Sequence, residues 1–167
     1  MRVRASTVSD VAAIQAIYAH HVLHGTGSFE EEPPSVEAMK ERWLAVAERG
    51  LPWLVAEIEG AVVGYSYARP YHERSAYRFT VEDAVYVAPD GGRRGVGRAL
   101  LTQVLGQCAG AGYRSMVAII GESANHGSIG LHRALGFRPV GVLQGVGLKF
   151  GRTLDSVIMQ KSLAEVP

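Results

Sequence analysis

"VYVAPDGGRRGVGRALL", residues 85–101, carries an alternating apolar segment into Pro89-Asp90-Gly91-Gly92, then Arg93, Arg94 and Arg98, and on into an apolar pattern of helical period. Alternation reads as a strand and the Pro-Asp-Gly-Gly cluster as a turn, so the stretch predicts strand, turn and helix start. Backbone N–H groups from residue 93 to 98 would then converge at a helix N-terminus, a place that favours an anion, with Gly95 and Gly97 letting a phosphate approach the chain. The stretch alone reads equally as a solvated basic turn whose glycines serve geometry. Two nucleotide-binding patterns do not fit. The P-loop needs Gly-Lys-Ser or Gly-Lys-Thr, which is missing. The dinucleotide fingerprint would run Gly95, Gly97, Leu100, with leucine where a third glycine should let the helix pack closely, and the strands before it form a hairpin, not a β-α-β unit.

Outward from this turn, the flanking segments follow simple periods. "MRVRAS" alternates as a first strand, and Val11, Ile14, Ile17, Tyr18 and Val22 lie at helical spacing, with Ser9 or Asp10 as N-cap. After the loop "GTGSFEEEPP", Ser35 opens a second helix that ends at Gly50. "PWLVAEIEG" and "AVVGYSYARPY" alternate on either side of Glu59-Gly60, a hairpin signal, and "YRFTVEDAVYVAP" is a third long strand. A helix over 95–110, a buried strand in "YRSMVAIIG", a helix in "SANHGSIGLHRALGF" and strands near 139–149 and 153–162 complete the order β-α-α-β-β-β-α-β-α-β-β. This predicts one mixed α/β domain over residues 1–167.

With 167 residues, 47% hydrophobic and 20% charged, the chain can bury the core of one domain. A formal net charge of +1 gives no global field for nucleic acid or an anionic membrane. Cys108, the only cysteine, excludes an internal disulfide and reads as a buried thiol. The N-terminus lacks a signal-peptide pattern and no apolar run approaches spanning length, so the expectation is a soluble, cytoplasmic protein with no nucleic-acid or membrane partner. The histidines show no metal spacing, and no metal is predicted.

The glycine turn after a long strand, the following helix, strand and helix, and the terminal "LGF" together resemble the GNAT N-acetyltransferases, a likeness that covers almost the whole chain. The blocks "LVAEIEGAVVGYSYA", "ERSAYRFTVEDAVYV", "NHGSIGLHRALGF" and "GVGLKFG" are similar to the phosphinothricin acetyltransferase branch in order and spacing. Gly92 stands where the family usually has Gln or Arg, Leu154 and Met159 replace aromatics of the herbicide-detoxifying members, and "GESAN" departs from their "GLPN". The resemblance implies the GNAT fold, a mostly antiparallel central sheet flanked by helices, with acetyl-CoA as co-substrate.

It also implies roles. The turn Arg93, Arg94, Gly95, Val96, Gly97 and Arg98 would hold the pyrophosphate. The backbone of Val85, Tyr86 and Val87 would lie along the pantetheine, with the Val87 N–H aimed at the thioester oxygen. Asn125 and Ser128 would bond the pantetheine amides or simply cap a helix. Glu82 in "TVED", given a pKa raised by partial desolvation, would be the general base, and Asp83, facing the other side of the sheet, its natural control. His132 would act as acid to the thiolate or help deprotonate the amine. Phe29, Arg74, Tyr77 and Lys149 would form an acceptor pocket suited to an anionic amino acid.

The expected activity is therefore acetyl transfer to the α-amino group of phosphinothricin, methionine sulfoximine or methionine sulfone by direct attack in a ternary complex. Another amine (a peptide N-terminus, an aminoglycoside, a polyamine) and a non-catalytic acyl-CoA sensor are the alternatives. A homodimer is expected from the branch.

Overall fold

The computed structural model of the protein describes residues 1–91 and 94–164. Strand β1 (Arg2–Ala5) leads through a 3-10 turn to α1 (Val11–His24) and α2 (Val36–Glu48); β2 (Trp53–Ile58), β3 (Ala61–Pro70) and β4 (Thr80–Val87) follow, then α3 (Val96–Gly110), β5 (Ser115–Gly121), α4 (His126–Ala134), β6 (Arg138–Lys149) and β7 (Arg152–Ser162). The seven strands form one sheet in the order β1-β2-β3-β4-β5-β7-β6. Every neighbouring pair is antiparallel except β4 and β5, which run parallel.

Local sequence accounts for most of these boundaries. Ser35 caps α2 by accepting from the Ala38 N–H, and Glu59 and Gly60, both at positive φ, turn the β2–β3 hairpin as a type I′ loop. The start of α1 differs from expectation. Thr7 caps the 3-10 turn, and the Asp10 carboxylate turns back to the Thr7 N–H and to Arg4 instead of capping the helix. The strand expected over 77–89 is shorter, because residues 75–77 form a 3-10 turn before β4 begins.

Strand alternation sorts the layers. A Cβ on Gly64 would meet Val96 and Leu100 of α3, whereas Tyr65, its neighbour, stacks with Tyr86, which meets Tyr18 of α1 edge-on. Helices α1 and α3 thus cover opposite faces of the sheet. Between them Ile14, Val22, Val55, Leu100, Leu101, Val104 and Met116 are fully buried, with Cys108 among them. Among the described residues no helix is long and apolar enough to cross a membrane.

The parallel pair positions the site. Its register runs only from Thr80↔Ser115 to Asp83↔Ala118. Beyond that point β4 keeps β3 and β5 keeps β7, so the two central strands part and open a wedge.

Candidate active site

Hydrogen-bond alternation identifies which backbone groups the wedge frees. Ala88 donates to Val63 and Thr80 accepts from Tyr71, so even-numbered residues of β4 bond toward β3; Phe79 accepts from Arg114, so odd-numbered residues face β5. Past Asp83 the odd groups have lost their strand, leaving the N–H of Val85 and Val87 and the C=O of Val85 pointing into the gap. The Val87 carbonyl is taken by His21 Nε2 at 2.8 Å. His21 is a site residue that sequence reading missed. Burial lowers its pKa, so it is neutral and donates from Nε2, with its ring on Tyr86. Nothing in its spacing to His20 and His24 marks it out.

The wedge opens into a cleft of about 1480 Å³, more than the roughly 300–1,000 Å³ typical of a pocket for one small ligand. Gly95 starts α3 at φ +75, a conformation glycine adopts freely, and a Cβ on Gly97 would lie 3.2 Å from Leu131 of α4. Gly95, Val96, Gly97 and Arg98 line the cleft; Arg94 is exposed beside them. Arg93 and Gly92 lie outside the described residues. Asn125 Oδ1 accepts from the Ser128 N–H at 3.2 Å, capping α4, and both residues also line the cleft.

On the α1 face, Glu82 and Arg69 are cross-strand partners, and Arg69 Nη2 meets Glu82 Oε1 at 2.5 Å. The Glu82 side chain is 11% exposed and that of Arg69 54%. Beside them Trp53 stacks on Tyr67 at 4.0 Å between ring centroids. Phe29 closes this end from the α1–α2 loop. Its ring rests against Gly147 and Gly121, where a Cβ would lie 2.5 Å and 3.0 Å from ring carbons. The loop is latched by Thr26 Oγ1 to Glu122, by Ser28 to Tyr18 Oη at 2.8 Å, and by Lys149 Nζ, which donates to the Ser28 carbonyl at 2.8 Å.

Three expected acceptor residues are therefore placed differently from Phe29. Lys149 is buried, 1% exposed, and its ammonium holds the loop; burial lowers its pKa against the pull of Glu31 and Glu30. Arg74 and Tyr77 line a smaller depression with Arg78 and Thr80 that adjoins the cleft and shares Arg49, Pro70, His72 and Glu73 with it, because the 3-10 turn over 75–77 carries them outward from the cleft. Besides Arg98, the arginines that line the cleft are Arg42, Arg49 and Arg69. The sequence hid them because each sits in a helix or strand pattern that reads as an ordinary solvated face.

On the opposite face of β4, Asp83 is not an inert control. Its Oδ2 meets His132 Nε2 at 3.0 Å, and His132 Nδ1 meets the Ser128 carbonyl at 2.7 Å, with both residues buried. A carbonyl and a carboxylate are both acceptors, so these two short contacts together call for a donor on each nitrogen, an imidazolium, with the Ser128 hydroxyl farther from Nδ1 at 3.4 Å. Burial opposes that charge, but the bond and charge of Asp83, with the Ser128 carbonyl, outweigh it and raise the His132 pKa. Neither nitrogen is free to take a proton from an amine, and this geometry makes His132 a tie between α4 and β4. Asp83 Oδ1 has no partner among the described residues.

A glycine-started helix, a parted parallel pair and a buried glutamate beside the gap agree with the comparison to known sequences: the model of the "Acetyltransferase (GNAT) family" matches residues 14–137. The chain belongs to the GNAT acetyltransferase family. It is 52% identical over 161 residues, 96% of this chain and 82% of the relative, to a phosphinothricin N-acetyltransferase of Alcaligenes faecalis. To an L-methionine sulfoximine/L-methionine sulfone acetyltransferase of Salmonella typhimurium it is 38% identical, covering 99% of this chain and 96% of the other. The crystal structure of a GNAT superfamily phosphinothricin acetyltransferase from Sinorhizobium meliloti in complex with AcCoA superimposes with a TM-score of 0.94 at 42% identity, over 96% of this chain and 87% of that one. The GNAT fold expected from the sequence, a mixed sheet flanked by helices, is the observed one.

Proposed function

We propose that this GNAT acetyltransferase carries acetyl from acetyl-CoA to the α-amino group of a small amino-acid analogue of the phosphinothricin, methionine sulfoximine or methionine sulfone type, by direct attack in a ternary complex. The observation that carries the reading is Glu82, buried beside the point where β4 and β5 part, on the face opposite the glycine turn. Acetyl-CoA supplies an acetyl group activated as a thioester. Arg94 through Arg98, with Arg93 beyond the described residues, hold its phosphates by backbone N–H and charge; Val85, Tyr86 and Val87 flank its pantetheine, with Asn125 and Ser128 across the gap. The N–H groups of Val85 and Val87, which lack a strand partner and face the cleft, support this fit, because such donors are open to an acceptor, and Val87 would supply one to the carbonyl oxygen.

As the amine's C–N bond forms, the thioester C–S bond would break and coenzyme A would leave as its thiolate, while Glu82 receives the proton that the attacking amine loses, directly or through one water. Arg69 faces its carboxylate, and Phe29 and the Trp53–Tyr67 stack exclude solvent from that end of the cleft. The Asp83–His132 pair holds α4 against β4 and so sets the width of the gap; the single cysteine, buried on α3, carries no acetyl group.

One sheet that runs from Arg2 to Ser162 supports reading residues 1–167 as one catalytic unit. The unit pairs with a second copy along β6. That strand is one of the sheet's two edges, and Val140, Val142, Leu143, Val146 and Leu148 on it are 47–70% exposed with no charge between Arg138 and Lys149. A lone free thiol and reliance on acetyl-CoA fit a cytoplasmic setting. The test is thiol release from acetyl-CoA with phosphinothricin, methionine sulfoximine, methionine sulfone, an aminoglycoside and a short peptide. Fast release with the first three is expected; tight acetyl-CoA binding with release from none of them would defeat the acceptor assignment.

A further inference from the structure

Three arginines line the acceptor end of the cleft, and their surroundings differ. Arg42 gives two nitrogens to Glu30, at 2.8 Å and 3.3 Å, and Arg49 lies 3.5 Å from Glu73, whose side chain is 82% exposed at the rim. Arg69 has the reverse arrangement: its partner, Glu82, is buried, while the guanidinium itself is half exposed and faces the cavity. A guanidinium has five donors in a planar fork. Among the described residues Arg69 uses one, from Nη2 to Glu82, leaving Nε, Nη1 and the second Nη2 proton to the cavity. Strand register keeps this fork in place, because Arg69 and Glu82 stand directly opposite one another in β3 and β4.

We propose that Arg69 is the acceptor-specificity residue, binding the α-carboxylate of the incoming amino acid through its free N–H edge while its Nη2 holds Glu82. This rests on the acceptor reading above. An α-amino acid carries its amine and carboxylate on one carbon, so a carboxylate on the outer edge of Arg69 brings the amine to the carboxylate that the same guanidinium already holds. Positive and negative groups then alternate around the site: Glu82, the ammonium, the acceptor carboxylate, Arg69. The planar fork suits a carboxylate bidentately, which a point-charge ammonium does not. A polyamine or an amine without a carboxylate leaves this edge unpaired, so the one residue both admits amino acids and disfavours simple amines. Arg74 lines the adjoining depression and not the cleft itself.

The experiment measures kcat and KM for the wild type, Arg69→Ala and Arg69→Lys with methionine sulfone and with its α-carboxamide, which keeps the amine and removes the acid. Loss of a charge-assisted, bidentate contact is worth roughly 1.5–3 kcal/mol, so Arg69→Ala is expected to raise KM for methionine sulfone about 10- to 100-fold. KM for the carboxamide should move less than about threefold, and Arg69→Lys should fall between wild type and alanine on the acid alone. Any loss transmitted only through Glu82 lowers kcat for both substrates alike, so the ratio of the two KM changes isolates the carboxylate contact. Equal KM changes for acid and carboxamide, or none for the acid, overturn the role of Arg69 and leave the acceptor reading standing. A wild type that acetylates neither compound while turning over another amine overturns both.

Discussion

Replacing Asp83 by Asn removes the counter-charge of a buried imidazolium and leaves its shape nearly intact. In the wild type His132 donates to Asp83 at 3.0 Å and to the Ser128 carbonyl at 2.7 Å. At an effective dielectric of about 20, unit charges at this separation attract by roughly 5 kcal/mol, and desolvating both groups takes much of that back. Removing one partner of such a pair costs about 3–5 kcal/mol while the other stays charged. The cost in Asp83→Asn is capped because His132 can shed its proton and accept from the new amide. The His132 pKa is raised above 6.5 in the native wild type, so between 6.5 and that raised value the folded chain binds more protons than the unfolded one, and stability falls as pH rises. The pair's contribution is fully present below pH 6.5 and lost as pH climbs through the folded value. In Asp83→Asn burial opposes the charged ring with only the Ser128 carbonyl left to support it, so the fall in stability with rising pH that the pair produces is lost. Urea melts at pH 5.5, 6.5, 7.5 and 8.5 should therefore show the variant weaker by about 3 kcal/mol at the acid end and by less than about 1 kcal/mol at the alkaline end. Two curves that stay parallel within about 0.5 kcal/mol would refute the protonated pair; other titrating groups cancel in the difference.

Glu82→Gln should lower kcat by ~10²-fold with little change in acetyl-CoA affinity, and an unchanged rate removes Glu82 from the mechanism. Asp10, whose carboxyl the Arg4 bond holds at about 2 against the opposing effect of burial, contributes about 2 kcal/mol at neutral pH. That contribution is present above pH 3.8 and lost as pH falls through about 2, so an acid titration should show Asp10→Asn destabilised at pH 7 and converging with the wild type toward pH 2. The Cys108 thiol is pushed up to about 12 by burial, with the Asp83 charge adding, so Ellman's reagent should label no protein thiol until urea unfolds the chain. Rapid labelling of the native protein would place Cys108 outside the core.

The periods of 2 and 3.6 were legible because they follow from burial of one face, which is why the element order holds from β1 to β7 with end shifts of a few residues. Glu82 became a candidate through the resemblance of "TVED" to the family's motif, whereas the residues alone read as an exposed strand glutamate. Partners across the sheet were not. Asp83 reads as the neighbour of Glu82 on the other side of the sheet, and only the fold brings it to His132, 49 positions away in the chain. Arg69 and Glu82 are 13 apart with a turn between them, so their pairing depends on a strand register that no local pattern encodes. Lys149 misled for the opposite reason: a cation near a motif suggests an anionic ligand, and here a main-chain carbonyl occupies it.

The aromatic stack of the acceptor end has an optical consequence. Of the chain's two tryptophans, Trp43 donates its indole N–H to Ser6 away from the cleft, while Trp53 lies flat on Tyr67 and lines the cavity beside Arg69 and Glu82. An acceptor entering that end changes the polarity and the charges around one indole and leaves the other as an internal reference. Intrinsic emission, with Trp43→Phe to isolate the signal, thus gives a label-free titration of the acceptor site in the absence of turnover.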